Sequence, residues 1–486
     1  MIAEFSMTLR SGRLLVVCLS GLIWCMTAGG VSAQQIRFLP GGREMGPPDY
    51  ATFRIGPLYS HFTFTEDIGI RYTDGTLGVV DFINGSQRGA YLKDGIDFPM
   101  ITTMSLRNYL QISKYMDLDI SVWARYEHYP LKTQDDVFIM NLTDPALTTS
   151  LMFEFYPTDY IRLKLYENPS YLISYVDRRG TEDLYGGLRY RRFQNDAGLD
   201  ADILLERDMN VALTLSRSDV VGASEGFADQ EQTTYSGSAA YEYQLTPMFV
   251  TGVRASYQDA DYVSLSRGDY ASRAYGVFAN AELSAVSKAS AAVGYGTGKT
   301  AATNSASSAI DAGGVQGLVS FETEFWKDTV FQASYTRTMR PGFSYGVESG
   351  GAIRGSLKWS DGSSSVVLSS EVDDINVAGN DGIGYRDWRN VLQVIYPLAS
   401  DCTLDVSSTY GVRNVSPPSG LDTAGVPSEL VNGYDTWINK VRITQALMKQ
   451  LSLSAYLEYV IRSSSSASLA YDRFNGGMSL IYVYEY

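Results

Sequence analysis

The sequence predicts an all-β protein that folds as a closed, antiparallel up-and-down barrel of about 18–20 strands, within a range of roughly 16–22. Three observations favour this fold: stretches in which apolar and polar residues alternate, short turns that alternate with long polar segments, and abundant glycine and tyrosine. The chain has 45 Gly and 35 Tyr among 486 residues. Because successive side chains of a strand point to opposite faces, each alternating stretch predicts a strand with one apolar face.

The N-terminus is predicted to be a cleaved signal peptide, residues 1–33. Arg10 and Arg13 precede the apolar run Leu14–Trp24, and the small residues of Val31–Ala33 follow it. A basic region, an apolar core and small residues before the cleavage site are typical of export signals. An uncleaved membrane anchor is the alternative, and the apolar run is short for a spanning helix.

The mature chain is predicted to have a Gly/Pro-rich periplasmic lead-in, residues 34–50, followed by the barrel, residues 51–486. Loss of the signal leaves 37 basic and 53 acidic residues, a balance that disfavours nucleic acid as a partner. Cys402 is the one cysteine outside the signal, so no intramolecular disulfide is expected. No later run of 18 consecutive apolar residues predicts a transmembrane helix.

Alternation and turns define the predicted hairpins. The stretches SGSAAYEYQL, AYGVFANAELSA and LSLSAYLEY each place apolar residues on one face and Ser, Asn, Gln or Glu on the other. Short turns, such as 245–247 and 360–362, alternate with long polar segments, such as 371–384 and 413–434. This spacing is typical of barrels with short turns at one end and long loops at the other.

Two segments fit the hairpin rhythm less well. The region 160–206 is ambiguous in its number of strands, and 75–97 is interpreted as a loop. Soluble β-sandwiches and β-propellers are the alternatives to a membrane barrel, but their strands are commonly about 5–6 residues long. Strands of about 9–11 residues cross a bilayer at a tilt, so the long stretches here predict the outer membrane as the location.

The chain ends on an alternating strand. Its one face carries Met478, Leu480, Tyr482, Tyr484 and Tyr486. In lipid every backbone group needs a partner, so a barrel must pair its last strand with its first. The pattern also resembles the C-terminal assembly signal of outer-membrane barrels, which implies the barrel assembly machinery as a partner.

Charged residues on the polar faces are predicted to line the lumen, because Arg or Lys facing lipid costs about 2–4 kcal/mol at mid-membrane. The basic ones are Arg107, Arg125, Arg162, Lys164, Arg254, Arg354, Lys358 and Arg442. The acidic ones are Asp119, Glu154, Asp202, Glu206, Glu242, Glu322, Glu324, Glu371, Asp405 and Glu458. Opposed rows would create a transverse field that selects solutes; alternatively, the charges pair to fill a wide, wet lumen.

Aromatic residues near the short turns are interpreted as an interfacial girdle, with sugar stacking as the alternative. They are Tyr115, Tyr156, Tyr160, Tyr243, Phe249, Phe325, Trp326, Phe331, Trp359 and Tyr396.

Other motifs predict little chemistry. The stretch Gly294–Thr300 looks like a phosphate-binding loop but has Val293 where the first glycine is needed. The tripeptide Arg267–Asp269 spells an adhesion motif that is short enough to arise by chance. His61 and His128 are interpreted as structural, since catalysis requires one of them beside a carboxylate at a rim of the barrel.

The acidic segment 373–381 is predicted to be a loop. Its oxygen-bearing side chains leave calcium binding open, and a solvated loop is the favoured interpretation.

The segment Phe53–Asp74, with Ile55-Gly56-Pro57 at its start, and the hairpin Tyr241–Tyr262 resemble the second β-barrel porin family of Gram-negative bacteria. The resemblance implies a passive outer-membrane pore, in some members encoded with exopolysaccharide export systems.

We therefore expect a porin-like channel without enzymatic activity, cofactor or metal. Its expected partners are membrane lipid and small hydrophilic solutes or a glycan chain. A non-conducting scaffold or adhesin, whose long loops bind a surface partner, is the alternative.

Overall fold

The computed structural model describes most of the predicted barrel. The described residues are 51, 53–74, 77–80, 87–92, 95–131, 136–140, 150–175, 189–222, 231–263, 268–301, 310–341, 347–378, 384–416, 433–464 and 470–484. The predicted signal peptide and lead-in, Arg267 of the tripeptide, residues 379–383 of the acidic segment and Tyr486 lie outside these ranges.

The described chain consists of strands joined by turns. The strands are β1 (Phe53–Ile55), β2 (Leu58–Asp74), β3 (Leu77–Val80), β4 (Gln87–Leu92), β5 (Gly95–Asp97), β6 (Met100–Ser113), β7 (Met116–His128), β8 (Val137–Met140), β9 (Ser150–Thr158), β10 (Ile161–Tyr175), β11 (Arg189–Glu206), β12 (Met209–Gly222), β13 (Gln232–Thr246), β14 (Phe249–Tyr262), β15 (Tyr270–Ser284), β16 (Ser287–Thr300), β17 (Ile310–Trp326), β18 (Thr329–Pro341), β19 (Val347–Ser360), β20 (Ser365–Ala378), β21 (Gly384–Ala399), β22 (Cys402–Ser416), β23 (Tyr434–Met448), β24 (Leu451–Ser464) and β25 (Tyr471–Tyr484).

Twenty of these strands form one closed antiparallel barrel, which confirms the predicted fold class. Each long strand pairs with its neighbours in the chain, and β25 returns to β2 with Tyr484 opposite Phe62 and Asp472 opposite Asp74. The short strands are accessory: β1 and β5 pair with β2, while β8 extends the wall between β7 and β10. The ladder of backbone hydrogen bonds therefore closes on itself.

The structure corrects the sequence-based interpretation in three regions and decides it in a fourth. The region 75–97, interpreted as a loop, contains β5 and a separate two-stranded sheet of β3 and β4. The ambiguous region 160–206 contains two paired strands, β10 and β11, with Ile161 opposite Ile203 and Tyr175 opposite Arg189. The predicted polar segments 371–384 and 413–434 also begin inside strands, because β20 and β22 continue into them.

Tight turns join the strands at one end of the barrel. In the β17–β18 turn, Asp328 adopts a positive φ of 64°, and its carbonyl accepts a hydrogen bond from the amide of Ser360 at 2.9 Å. In the β19–β20 turn, the carboxylate of Asp361 accepts hydrogen bonds from the backbone amides of Ser363 and Ser364, at 3.0 and 2.6 Å. Gly362 supplies the positive φ of 91° within that turn.

The outer surface of the barrel is apolar. Large side chains at alternate positions, such as Ile68, Leu215 and Tyr275, remain more than half exposed while their neighbours point inward. Most of the predicted girdle residues, including Tyr160 and Trp359, are exposed near the short turns. A closed β-ladder wrapped in apolar side chains satisfies the requirements of a bilayer, so the protein is an outer-membrane barrel.

Tyr156 departs from the predicted girdle. It shares a face of β9 with Glu154, and its hydroxyl donates a hydrogen bond to that carboxylate at 2.8 Å.

Among the described residues, no helix is long and apolar enough to cross a membrane.

A small apolar cluster lies on the inner face of β14–β17. The Phe278 ring, only 5% exposed, covers Gly252 on the next strand and packs with Ala292 and Leu318. A side chain at position 252 would collide with this ring, so the glycine makes room for it.

Replacement of Phe278 with Ala is expected to destabilise the barrel by about 3 kcal/mol, because it leaves a cavity over Gly252. Urea unfolding in lipid vesicles measures the change in the free energy of unfolding. Phe278→Leu, which keeps most of the volume, is the control and should cost about 1 kcal/mol or less. Equal effects of the two variants would contradict the packing role.

The β19–β20 turn is expected to be pH-sensitive. The backbone amides of Ser364 and Ser363 hold the pKa of Asp361 below its usual value. A group whose folded pKa is lowered stabilises the fold above its unfolded pKa, and this contribution is lost as the pH falls through the folded value. The difference in urea midpoint between the wild type and Asp361→Asn should therefore be present at pH 7 and shrink below about pH 4. A difference that stays constant with pH would refute this assignment.

Candidate functional site in the barrel lumen

The predicted lumen charges lie on one face of their strands. On β19, Arg354 and Lys358 alternate with the exposed Ile353 and Leu357. The other predicted basic and acidic residues, from Arg107 on β6 to Glu458 on β24, likewise alternate along their strands with exposed apolar residues. The structure therefore places them on the inner face, while their effect on solutes remains a prediction.

One ion-pair network joins β9, β10 and β11. The Arg162 guanidinium lies 2.6 Å from the Glu154 carboxylate and 3.5 Å from that of Asp202. Both acids are buried, and Lys164 reaches Asp200 at 3.9 Å. In this part of the wall two cations pair with three carboxylates, and the pairs are packed together, as expected if they fill space.

A second network joins β19, β20 and β21 and is open to solvent. The carboxylate of Glu371 lies 2.6 Å from Arg354 and 3.8 Å from Arg389. The Arg354 side chain is 51% exposed. Arg354 also lies 4.0 Å from the buried carboxylate of Asp373, so two arginines face two acids and the group presents charges of both signs to the lumen.

This network borders a polar trough in the inner wall of β16–β21, with a volume of about 600 Å³. Its floor carries small hydroxyl side chains and one carboxamide: Ser290, Ser320, Ser334, Ser356, Ser369 and Gln332. Lys288 and Glu322 close its second side. Because the strand register places Ser290, Ser320 and Ser334 directly opposite one another, the hydroxyl groups form a continuous row across three strands.

A third network spans the seam where the barrel closes. Glu458 on β24 lies 3.8 Å from Lys440 and 3.4 Å from Arg473. It also accepts a hydrogen bond from Asn475, which in turn accepts one from Arg71 on β2. Polar side chains therefore join the last strands to the first, in addition to the backbone ladder.

A row of stacked rings and guanidinium groups lies toward the long-loop end of β21–β25. The Arg413 guanidinium carbon is 4.9 Å from the ring centre of Tyr385 and 5.7 Å from that of Tyr434. Arg462 lies 4.7 Å from Tyr434 and 4.9 Å from Tyr471. Arg413 also makes a buried bidentate pair with Asp387, at 2.7 Å for both contacts. These buried arginines hold strands together and are not presented to a solute.

Sequence reasoning missed several inner-wall charges. Arg389, Arg413, Arg462, Arg473 and Asp387 all lie on the inner face. The sequence pattern places Arg413 at the start of a long polar segment, whereas β22 extends to Ser416. Extending the alternation past the apparent strand ends would have identified it.

The remaining motifs have ordinary surroundings. Residues Gly294–Thr300 form the end of strand β16. Asp373 and Asp374 lie within β20, so the predicted loop begins later, and Asp374 faces outward to Arg386 at 2.8 Å. Within the described ranges, no group of three or more His, Cys, Asp or Glu is placed to hold a metal ion.

The two histidines are separated. His61 contacts the hydroxyl of Thr63 at 3.0 Å on the inner face of β2. Nδ1 of His128 lies 3.1 Å from the Asp136 carboxylate, and the His128 ring stacks with Tyr126 on the outer face of β7. The His128–Asp136 pair at the rim thus points away from the lumen.

Comparison with known proteins gives similarity in fold only. No protein-family model matches the chain, and no curated protein sequence matches it. Similar solved structures include the FrpB iron transporter from Neisseria meningitidis (F5-1 variant), with 10% identity, a TM-score of 0.49, and coverage of 87% of this chain and 82% of that chain. The copper transporter OprC has 10% identity and a TM-score of 0.47, with coverage of 89% and 81%. The siderophore receptor PirA from Pseudomonas aeruginosa has 8% identity and a TM-score of 0.43, with coverage of 87% and 80%.

The resemblance to the second β-barrel porin family therefore stays a prediction. The barrel fold and the location in the outer membrane are established, whereas membership of a particular family is not.

Replacement of Arg162 with Met is expected to destabilise the barrel on the order of 3 kcal/mol, because it leaves Glu154 and Asp202 buried without their partner. Arg354→Met is the matched control: its pair with Glu371 is exposed, so we expect a loss of about 1 kcal/mol or less. Urea unfolding in vesicles at neutral pH measures both. Similar losses in the two variants would show that burial does not distinguish the networks.

Proposed function

We propose that the protein is an outer-membrane channel through which small hydrophilic solutes or a polysaccharide chain pass without chemical change. The observation that carries this proposal is the solvent-open polar trough of β16–β21, with its serine row between two charged borders. Side chains alone do not fill a barrel of this size: natural barrels of about 16–18 strands leave an aqueous channel, and those of about 22 hold a plug. A wet lumen with a polar wall is suited to solutes that carry many hydroxyl groups.

The charge arrangement supports weak selectivity. Arg354 and Arg389 share Glu371 on one side of the trough, while Lys288 and Glu322 lie on the other. Hydroxyl and amide groups between them can exchange hydrogen bonds with a passing sugar as readily as with water, so a glycan would be held weakly and could slide. The absence of enzymatic activity and recognition of β25 by the barrel assembly machinery belong to the same proposal.

Single-channel conductance in a planar bilayer tests the proposal. We expect stable current steps from the purified barrel, and a shift of ion selectivity toward cations in Arg354→Glu/Arg389→Glu, because two positive charges beside the trough then become negative. Arg273→Glu is the matched control: Arg273 is an exposed residue on the outer face of β15, so its replacement should leave selectivity unchanged.

The same bilayer distinguishes the solute classes. Reversible current block by a neutral oligosaccharide, absent with a polyethylene glycol of similar size, would favour a glycan chain over small solutes. A folded barrel that gives no conductance would reject the channel and leave the scaffold or adhesin, whose long loops bind a surface partner. No effect of the double charge reversal on an open channel would remove the trough from the conduction path.

A further inference from the structure

The outer face of β18–β21 contains a second concavity, which the channel does not use. It has a volume of about 410 Å³ and opens outward, toward the region of the lipid, near the long-loop ends of the strands. The gap exists because β19 presents only Ser349 and Gly351 to the outside at this height, between larger side chains on its neighbours. The Tyr335 ring lies close to Gly351, because a Cβ atom at this position would be only 3.3 Å from the ring.

The strand register places the residues that line this concavity in two rows at different depths. Arg337, Gly351, Asp374 and Arg386 are opposite one another in one row across four strands. The adjacent row on the membrane side is Tyr335, Ile353, Val372 and Trp388. Two residues along a strand correspond to about 7 Å, so a charged level lies one step beyond an apolar and aromatic level.

The charged level carries excess positive charge. Asp374 pairs with Arg386 at 2.8 Å, and the Arg386 side chain is still 62% exposed. Arg337 is exposed and makes no hydrogen bond or ion pair with another residue in the described part of the chain. Two guanidinium groups therefore flank one carboxylate, with net charge of about +1 at the interface.

We propose that this groove binds a phosphate-bearing lipid of the outer leaflet. Tyr335 and Trp388 mark the interfacial depth, where aromatic residues are enriched, and the guanidinium groups beyond them lie at the height of lipid headgroups. Arginine donates paired N–H groups that match the oxygens of a phosphate ester. Ile353 and Val372 line the path of an acyl chain, and the small residues of β19 make the space for it.

This arrangement differs from other outer-face charges at the long-loop end. Arg217 pairs with Asp219 at 2.9 Å, and Lys299 pairs with Asp311 at 2.8 Å. Each of these two cations is therefore paired with its own carboxylate. Among the described strands, the surroundings of Arg337 are the one place that combines three features. These are an arginine without an acidic partner, a gap over Gly351, and apolar side chains on the membrane side of that gap.

Quenching of Trp388 by brominated lipids tests the site. In Trp326→Phe/Trp359→Phe/Trp437→Phe, Trp388 is the one tryptophan of the described strands left on the lipid side, since Trp123 is 3% exposed on the inner face; Trp24 lies in the predicted signal peptide. The probe is brominated phosphatidic acid in phosphatidylcholine vesicles. We expect it to be enriched about five-fold over phosphatidylcholine next to Trp388, equivalent to about 1 kcal/mol.

Variants assign the enrichment to the groove. Arg337→Gln/Arg386→Gln should reduce it to about one-fold, whereas the control Arg217→Gln/Arg273→Gln should retain it. High salt should also weaken enrichment in the wild type, because exposed charges are screened; this measurement stands even if the double variant fails to fold.

Three results would overturn the proposal. They are equal quenching by the two lipids in the wild type, enrichment that persists in the folded Arg337→Gln/Arg386→Gln variant, and enrichment that does not change with salt. Displacement of the brominated lipid by millimolar inorganic phosphate would identify a site for the free ion instead of a lipid. None of these outcomes depends on whether the barrel conducts.

Discussion

Closure of the backbone hydrogen-bond ladder is the constraint on which the rest of the structure depends. A bilayer offers no partners for free amides and carbonyls, so a sheet inside it must join its last strand to its first. Here β25 pairs with β2 over thirteen residues, from Phe62 to Asp74. Once this seam is made, each of the twenty barrel strands has two neighbours, and its side chains point either to lipid or to the lumen.

The strict two-faced pattern then separates two kinds of chemistry. The outer face holds apolar and aromatic side chains, with charges near the strand ends, as at Arg337 and Arg386. The inner face holds ion pairs that differ in exposure. Glu154, Arg162 and Asp202 are packed into the wall, whereas Arg354 and Glu371 border an open trough. The first group is enclosed by the wall, and the second is open to solvent.

The inner wall is also uneven around its circumference. Strands β21–β25 are tied together by alternating arginine and tyrosine side chains and by the buried Arg413–Asp387 pair. Strands β16–β19 carry serine, alanine and glycine instead. Because these small side chains extend only a short way into the lumen, the trough forms on this side of the barrel.

The sequence by itself determined the fold class and the inward orientation of residues such as Arg354 and Glu322, because a period of two residues assigns each side chain to a face whatever its neighbours are. It could not determine which residues of neighbouring strands lie opposite one another. The pairing of Arg162 with both Glu154 and Asp202, the stack around Arg413 and the row from Arg337 to Arg386 all depend on register between strands. The extent of β20 and β22 was also decided by the tertiary structure, since pairing with a neighbour extends a strand through residues with weak intrinsic preference for it.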